Sequence, residues 1–430
     1  MMNRWMSVVR QSPNGVDAWR AARLSRLKAR RKLWLEVHGW LGLILGFCLA
    51  IFGITGSVLV FYEETDDWLN PGVIALANLV EGQEHFRPVD DIVEAARSVM
   101  PDRAQIGSII YPRHDRRAYQ FFYRVVTDNE STPELRHVFV NPYTAEVTGT
   151  RAVIERGRWL PDGFVPFMFQ LHFALLAGNT GAVVVGIMGV ISIISVLTGL
   201  IVWWPLTGKW RRALTIKRAA SPERLNHDVH QTFGFYTALI MLAVLLSGVY
   251  MNLPDHFKVP VKLLSPNSRS FTDNPQSSPA AGRSPIGLDR ALASVRRSYP
   301  EGRVNWLRLP EGETGVYTIS IRDVPGLSRF WSERRLTVDQ YSGAILTVHD
   351  PDTRTAAGDT FLDWMWPLHS GKVFGWPGRI LIFVTGLACP VLYVTGVVRW
   401  LQKRRAKRSK KPPRPAGWGE ARNRITGRSN

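Results

Sequence analysis

Cysteine is almost absent from this chain of 430 residues, which contains only Cys48 and Cys389. Two thiols are too few for a disulfide framework, a tetrathiolate zinc site or an iron–sulfur cluster held by the chain's own ligands. The sequence therefore excludes these three classes of protein. Any redox or metal chemistry of this chain has to use other side chains.

Charged residues are absent from four stretches, each close to the roughly 20 residues that a helix needs to cross a bilayer. These stretches are Leu41–Phe61, Ala182–Trp204, Gln231–Leu253 and Ile380–Val398. They predict four transmembrane helices. The first lies too far from the N-terminus for a cleaved signal peptide, so we interpret it as an uncleaved anchor.

Acidic residues are scarce in three basic segments, 1–32, 205–226 and 399–430. Together these segments contain 27 of the 54 Lys and Arg residues but only three of the 35 Asp and Glu residues. Such asymmetry is typical of the positive-inside rule, so we expect both termini and the 205–226 loop to be cytoplasmic. The basic runs adjoin the predicted helices, which favours contact with membrane lipid and argues against nucleic acid as a partner.

Four histidines lie at the rims of the apolar stretches and show that the sequence is a tandem duplication. His38 and His230 are each followed by a glycine four residues later, at Gly42 and Gly234. Thr55-Gly56 and Ser247-Gly248 extend this match at a displacement of 192 residues. His172 and His369 begin a second match, displaced by 197 residues, whose later members are Gly178, Gly181, Gly189, Thr198-Gly199 and Trp203 in one copy and Gly375, Gly378, Gly386, Thr395-Gly396 and Trp400 in the other.

The duplication includes the polar segments between the helices. Each has a short helical pattern followed by strand-like runs, which predicts two α+β modules. The predicted fold class is a membrane α-helical bundle of four transmembrane helices with two outer α+β domains. Its segments are a poorly ordered basic arm (1–32), helix 1 (33–62), domain 1 (63–165), an interfacial segment with helix 2 (166–204), a cytoplasmic loop (205–226), helix 3 (227–253), domain 2 (254–365), an interfacial segment with helix 4 (366–402) and a basic tail (403–430).

Two parallel repeats imply a pseudo-twofold axis along the membrane normal, which pairs His38 with His230 and His172 with His369. Two imidazoles from facing helices are what axial ligation of haem iron requires. Gly42 and Gly234 lie one turn from their histidines, where a missing side chain lets a porphyrin approach the backbone. For Gly189, Gly199, Gly386 and Gly396 we expect a role in helix packing. A proton or ion relay and a purely structural role are the alternatives for the histidines.

The chain resembles the PepSY-associated transmembrane family of bacterial iron-regulated membrane proteins. The resemblance lies in the run Trp34–Gly42, Leu171-His172, Asp228-Val229-His230 and Leu368–Gly371, and in PepSY-like turns at Asn141–Thr144 and Asp339–Gly343. It implies a multi-pass protein of the bacterial inner membrane with periplasmic PepSY-like domains. It also implies an oxidoreductase that contains haem b and reduces ferric-siderophore iron. The two histidine pairs predict two haems. We expect no catalytic residue besides the haem.

The electron donor implied by the resemblance is a quinol or a separate cytoplasmic reductase. The tail after Arg399 is short and basic and contains no Gly-x-Gly-x-x-Gly loop for a nucleotide. The alternative function is that of a non-enzymatic PepSY membrane protein, which binds peptides, regulates a protease or forms part of a permease. Haem propionates would need cations. The candidates are Arg31, Lys32, Arg224 and Arg399 on the inner side and Arg158, Lys372 and Arg379 on the outer side.

Overall fold

The computed structural model describes residues 13–76, 85–125, 134–155, 157–158, 160–206, 208–217, 219–279, 282–350 and 356–409. The first twelve residues of the predicted basic arm, and the predicted tail beyond residue 409, lie outside the described residues.

The α-helices are numbered here in chain order within those ranges. They are α1 (Pro13–Leu59), α2 (Tyr62–Leu69), α3 (Val89–Ser98), α4 (Phe164–Ala174), α5 (Gly178–Trp203), α6 (Trp210–Leu214), α7 (Pro222–Asn252), α8 (Pro254–Leu264), α9 (Arg269–Thr272), α10 (Leu288–Ser298), α11 (Ala357–Ser370) and α12 (Gly375–Ser409). A 3-10 turn at Lys372–Phe374 links the last two. Of the described helices, α1, α5, α7 and α12 are long and apolar enough to cross a membrane, which confirms the prediction from the four charge-free stretches.

Helix α1 begins at Pro13, so the prediction of a poorly ordered arm up to Leu33 is wrong for residues 13–32. Residues 18–33 are rich in Ala, Leu, Arg and Lys, which have high helix propensity. The high helix propensity of these residues therefore outweighs the positive charge on which the prediction of disorder rested.

Short apolar helices precede α5 and α12, and tight turns separate them from these long helices. Leu175 and Leu176 take positive φ angles of 49° and 60° after α4, and Gly178 follows at 55°. Gly371 and Gly375 take φ angles of 75° and 62° between α11 and α12. These turns let a histidine-bearing helix precede each of the two long helices without being continuous with it.

The strands form one antiparallel sheet in the order β4-β3-β2-β1-β5-β6-β7-β8. Their bounds are β1 (Ala104–Ile110), β2 (Tyr119–Val125), β3 (Glu134–Val140), β4 (Val147–Ile154), β5 (Arg303–Arg308), β6 (Val316–Arg322), β7 (Glu333–Asp339) and β8 (Ile345–His349). Each repeat contributes four consecutive strands joined as an antiparallel meander.

The two predicted α+β modules share a single sheet, and their assignment as two PepSY-like domains stays a prediction. Strand β1 pairs with β5 through Ile109 opposite Leu307 and Ile110 opposite Trp306. The first strand of each repeat would otherwise be an edge with unpaired N–H and C=O groups. Pairing the two edges satisfies these groups at the centre of the sheet.

Helices α3 and α10 cover the sheet with equivalent apolar faces. Val89, Ile92 and Ala96 of α3 are buried, with the spacing of one helical face. The buried face of α10 consists of Leu288, Ala291, Leu292 and Val295. Both faces belong to one hydrophobic core with residues of β1–β3 and β5–β7.

The two covering helices cap each other reciprocally. The Asp289 carboxylate accepts hydrogen bonds from the backbone N–H groups of Val89 and Asp90, at 3.0 and 2.9 Å. The Asp90 carboxylate accepts from the N–H groups of Leu288 and Asp289, at 2.7 and 3.2 Å. Each carboxylate therefore satisfies orphan donors, and complements the dipole, of the opposite repeat's helix.

This exchange predicts that either aspartate contributes to the stability of both repeats. We expect Asp90→Ala or Asp289→Ala to lower the free energy of unfolding by about 1–2 kcal/mol, in the range of lost helix caps. Thermal unfolding of the purified protein in detergent measures the loss. Asp91→Ala is the matched control, because among the described residues Asp91 pairs with the exposed Arg87. An equal effect of all three substitutions would contradict the reciprocal capping.

The chain divides into two compact units. Unit 1 comprises Met1–Phe47, Leu197–Tyr236 and Val391–Asn430, and unit 2 comprises Cys48–Val196 and Thr237–Pro390. Unit 1 contains His38 and His230, and unit 2 contains His172, His369 and the sheet.

Candidate functional site: two imidazole pairs

The structure brings the four predicted histidines together as two pairs, each with one member from each repeat. In unit 1 the ring centres of His38 on α1 and His230 on α7 are 6.3 Å apart, with an angle of 64° between the ring planes. In unit 2 the ring centres of His172 on α4 and His369 on α11 are 6.1 Å apart, at 67°. The two pairs thus share one geometry.

These separations fit a metal ion between two imidazoles. A metal about 2.0 Å from one nitrogen of each ring, on opposite sides, places the ring centres roughly 6 Å apart. Direct hydrogen bonding or stacking of the rings would normally bring them closer. The described residues contain no cluster of three or more His, Cys, Asp or Glu side chains with metal-binding geometry. Within the described residues, each pair therefore offers two imidazoles as candidate metal ligands.

A hydroxyl group contacts the Nδ1 atom of each histidine from a neighbouring long helix. The distances are 3.3 Å from His38 to Thr198, 3.0 Å from His172 to Thr55, 2.9 Å from His230 to Thr395 and 3.1 Å from His369 to Ser247. All four hydroxyls belong to the Thr-Gly or Ser-Gly dipeptides of the duplication. They occupy equivalent positions in the two repeats.

The hydrogen-bond roles determine which ring nitrogen carries the proton. Thr55 Oγ1 has one hydrogen and lies 2.8 Å from the Ile51 carbonyl, to which it donates. It therefore accepts from His172, whose Nδ1 is the donor. Equivalent carbonyl contacts of 2.8 and 2.7 Å are made by Ser247 with Ala243 and by Thr395 with Val391.

His369 supports the same assignment independently, because its Nδ1 also lies 3.0 Å from the Val244 carbonyl, which can only accept. A neutral imidazole with a proton on Nδ1 has its lone pair on Nε2. This tautomer presents an Nε2 lone pair as a metal ligand, and the hydroxyl forms the outer contact typical of metal-bound histidine.

The glycine of each dipeptide allows the ring to approach the helix backbone. A Cβ atom at Gly199 would lie 2.9 Å from Cε1 of His38, and one at Gly56 would lie 2.9 Å from Cε1 of His172. The corresponding distances are 3.2 Å from Gly248 to His369 and 3.5 Å from Gly396 to His230. Our interpretation of Gly199 and Gly396 as helix-packing residues was therefore incomplete, because both contact imidazole rings. Gly189 and Gly386 do pack against other helices, beside Val249 and Gly53.

Gly42 and Gly234, predicted to face a porphyrin, lie beside open space. A Cβ atom at Gly42 would meet no heavy atom within 4 Å, and one at Gly234 would meet only Leu392, at 3.7 Å. The space next to both glycines in unit 1 is compatible with a flat ligand. Their role in binding stays a prediction.

Unit 2 contains a cavity of about 1040 Å³ beside the second pair. Such a volume is at the upper end of small-molecule sites. One part of the cavity is lined by His172 and His369 and by the small residues Gly56, Gly248 and Gly386. Another part is lined by side chains of the sheet. The cavity therefore extends from the imidazoles to the sheet and is large enough for more than a single ion.

A buried charge cluster lies at the cavity wall. Glu63 accepts hydrogen bonds from Lys372 at 3.0 Å and Arg113 at 2.7 Å. Burial alone would raise the pKa of Glu63, but the two cations lower it to about 2. Lys372 and Arg379, two of the candidate propionate partners, pair with Glu63 and Glu64. Their contact with a propionate stays a prediction.

A second polar cluster joins helix α2 to the sheet. Arg151 binds Asp66 with two contacts of 2.8 Å and donates from Nε to His137 Nδ1 at 3.0 Å. Gln120 Nε2 lies 3.1 Å from the same nitrogen. Burial and the charge of Arg151 lower the pKa of His137 to about 3. No local sequence pattern indicates this cluster, because Asp66 lies 85 residues before Arg151 in the chain.

His137 predicts an acid-sensitive contribution to stability. Its pKa is about 3 in the folded protein, against 6.5 for the free side chain. The unfolded chain binds the additional proton between these values, so the free energy of unfolding falls by about 1.4 kcal/mol for each pH unit below 6.5. Thermal unfolding of wild type and His137→Asn between pH 7 and 5 should show a weaker pH dependence in the variant. Equal slopes would contradict a neutral His137.

The fold and the histidine geometry define the class of protein. It is a helical membrane protein with a large antiparallel sheet and two imidazole pairs. The model of the PepSY-associated TM region matches residues 35–403, so the chain belongs to this family. None of the curated proteins compared with the chain matches it.

Proposed function

We propose that the protein is an inner-membrane oxidoreductase with two haems b, which passes electrons across the membrane and reduces ferric-siderophore iron in the periplasm. The observation that carries the proposal is the pair of matching imidazole–imidazole separations, 6.3 and 6.1 Å. Membership of the family is consistent with it.

The residues fit haem at both positions. The Nε2 lone pairs of His38 and His230 would provide the axial nitrogens at one site, and those of His172 and His369 would provide them at the other. Haem held in this way supplies reversible one-electron chemistry. Open space at Gly42 and the cavity beside His172 leave room for a ring much larger than the metal itself.

The protein's own groups hold the site ready for electron transfer. The hydroxyls of Thr55, Ser247 and Thr395 each donate to a backbone carbonyl and therefore keep the proton on Nδ1 of His172, His369 and His230. The helix residues of the cavity wall around His172 are largely apolar, among them Leu49, Phe52, Val185 and Val244.

The substrate would be reduced on the side of the sheet. Trp364 and Trp366 line the cavity with His369, whereas Phe164 is not among the lining residues and is 44% exposed. One electron converts iron(III) to iron(II), a softer ion that binds hard oxygen chelators less tightly. A quinol or a separate reductase supplies that electron. The positive-inside asymmetry supports a periplasmic position for the sheet.

The absorption spectrum of the purified protein tests the proposal. We expect a Soret band and, on reduction, sharp α and β bands, with two haems per chain by pyridine haemochrome analysis. Proteoliposomes with an internal reductant should then reduce an external ferric chelate, and an external iron(II) indicator should detect the product. A colourless protein from haem-replete cells would refute the proposal.

A further inference from the structure

The hydroxyl–glycine dipeptides make contacts that helix packing alone does not explain. In all four, the hydroxyl contacts Nδ1 of a histidine and the glycine lies against Cε1 of the same ring. Two adjacent residues thus hold two adjacent atoms of one imidazole. Such a contact restricts rotation of the ring about its own axis as well as its position.

The dipeptides also connect the helices in a regular pattern. Within each repeat, the second long helix holds the histidine of the first, through Thr198 for His38 and through Thr395 for His230. The first long helix holds the histidine of the short apolar helix, through Thr55 for His172 and through Ser247 for His369. Both rings of a pair are therefore oriented by their own repeat.

We infer that the dipeptides Thr55-Gly56, Thr198-Gly199, Ser247-Gly248 and Thr395-Gly396 are positioning residues that set the plane and the donor strength of the axial imidazoles. This inference rests on the proposed function. The ring planes are held at 64° and 67° to each other, well away from parallel. An acceptor on Nδ1–H also makes Nε2 a stronger donor, which stabilises the ferric state.

This orientation has a spectroscopic consequence. In low-spin ferric haem, parallel axial imidazoles give a rhombic electron paramagnetic resonance spectrum, and strongly crossed ones give a highly anisotropic signal with a large maximum g value. We expect the oxidised wild-type protein to show the highly anisotropic type at both haems. Rhombic signals from both would overturn the inference, because the planes would not be held as described.

Thr55 offers the sharpest substitution. Thr55→Val keeps the shape of the side chain but removes the acceptor for His172. We expect this variant to retain two haems. The haem at His172 should show a shifted maximum g value and a higher midpoint potential, and the other haem should be unchanged. Thr55→Ser, which retains the hydroxyl, should restore both values. Gly56→Ala should shift the g value, since its Cβ would lie 2.9 Å from the ring.

Ser57→Ala is the matched control. Ser57 lies two residues further along the same helix, is buried, and donates to the Phe383 carbonyl at 2.9 Å without contacting an imidazole. The inference fails if Thr55→Val and Ser57→Ala both retain the wild-type spectrum and potential, or if both shift them equally. The dipeptide would then be structural only, and the proposed function would still stand. If wild type contains no haem, the proposed function fails, and the inference fails with it.

Discussion

His172→Ala and His369→Ala should each abolish the same one of two spectral components, and His38→Ala and His230→Ala should each abolish the other. The ring-centre separations of 6.1 and 6.3 Å assign each histidine to its partner. On the proposed function, removal of one histidine would leave a haem with a single imidazole, so haem retention at that site would fall steeply. We expect haem content to drop from two to about one per chain and ferric-chelate reduction to be lost, as expected for loss of a direct ligand.

Histidines that lie nearby without facing a partner imidazole are the controls. His227 precedes His230 by three residues and contacts Asp228 at 3.4 Å. His349 lines the cavity but contacts Asp363 at 2.7 Å. His227→Ala and His349→Ala should retain both haems.

Rescue with imidazole separates loss of a ligand from misfolding. In His172→Gly the deleted ring leaves a space in which free imidazole can bind, and added imidazole should restore the missing component. If His38 and His172 removed the same component instead, the pairing would be wrong. An unaltered spectrum in all four alanine variants would exclude these histidines as ligands.

The pairing could be predicted from sequence because it depends on the duplication. Displacements of 192 and 197 residues relate His38 to His230 and His172 to His369, and a pseudo-twofold axis then pairs equivalent residues. The four long helices could be predicted because an absence of charge over about 20 residues is a strong local signal. The predicted strand runs also lie within a few residues of the observed strands, since period-two patterns are local.

The joined sheet could not be predicted in the same way. Whether β1 pairs with β5 depends on contacts between residues about 200 positions apart, and no local pattern reports them. The reciprocal caps of Asp90 and Asp289 follow from that pairing and were missed with it. An acidic residue at the start of a helix indicates a cap but not which helix it caps.

The sequence shows that the hydroxyl–glycine dipeptides are repeated, but it does not indicate their role. Thr55-Gly56 and Ser247-Gly248 show the same displacement as the histidines before them. Small residues in membrane helices are more often packing residues, which is how Gly199 and Gly396 were interpreted. Only the structure shows that each dipeptide faces a ring on a different helix.

The second large effect is expected at the buried ion pair of Asp66 and Arg151. Its side chains are 5% and 10% exposed, and both carboxylate oxygens contact guanidinium nitrogens at 2.8 Å. Asp66→Ala would leave the guanidinium buried beside His137 without a counter-charge. We expect a loss of about 3–5 kcal/mol in the free energy of unfolding, the usual cost of removing one partner of a buried pair.

A double substitution shows how much of this loss comes from the unpaired charge. Asp66→Leu combined with Arg151→Met replaces the pair by apolar groups, which is often close to neutral for buried ion pairs. We expect the double variant to unfold at a higher temperature than Asp66→Ala, although its contact with His137 is lost. Glu311→Ala breaks the exposed pair with Arg124 and serves as the control, with an expected cost below about 1 kcal/mol. If Asp66→Ala costs no more than Glu311→Ala, the pair is solvated and does not connect helix α2 to the sheet. A double variant as unstable as Asp66→Ala would instead show that the lost hydrogen bonds, and not the unpaired charge, determine the effect.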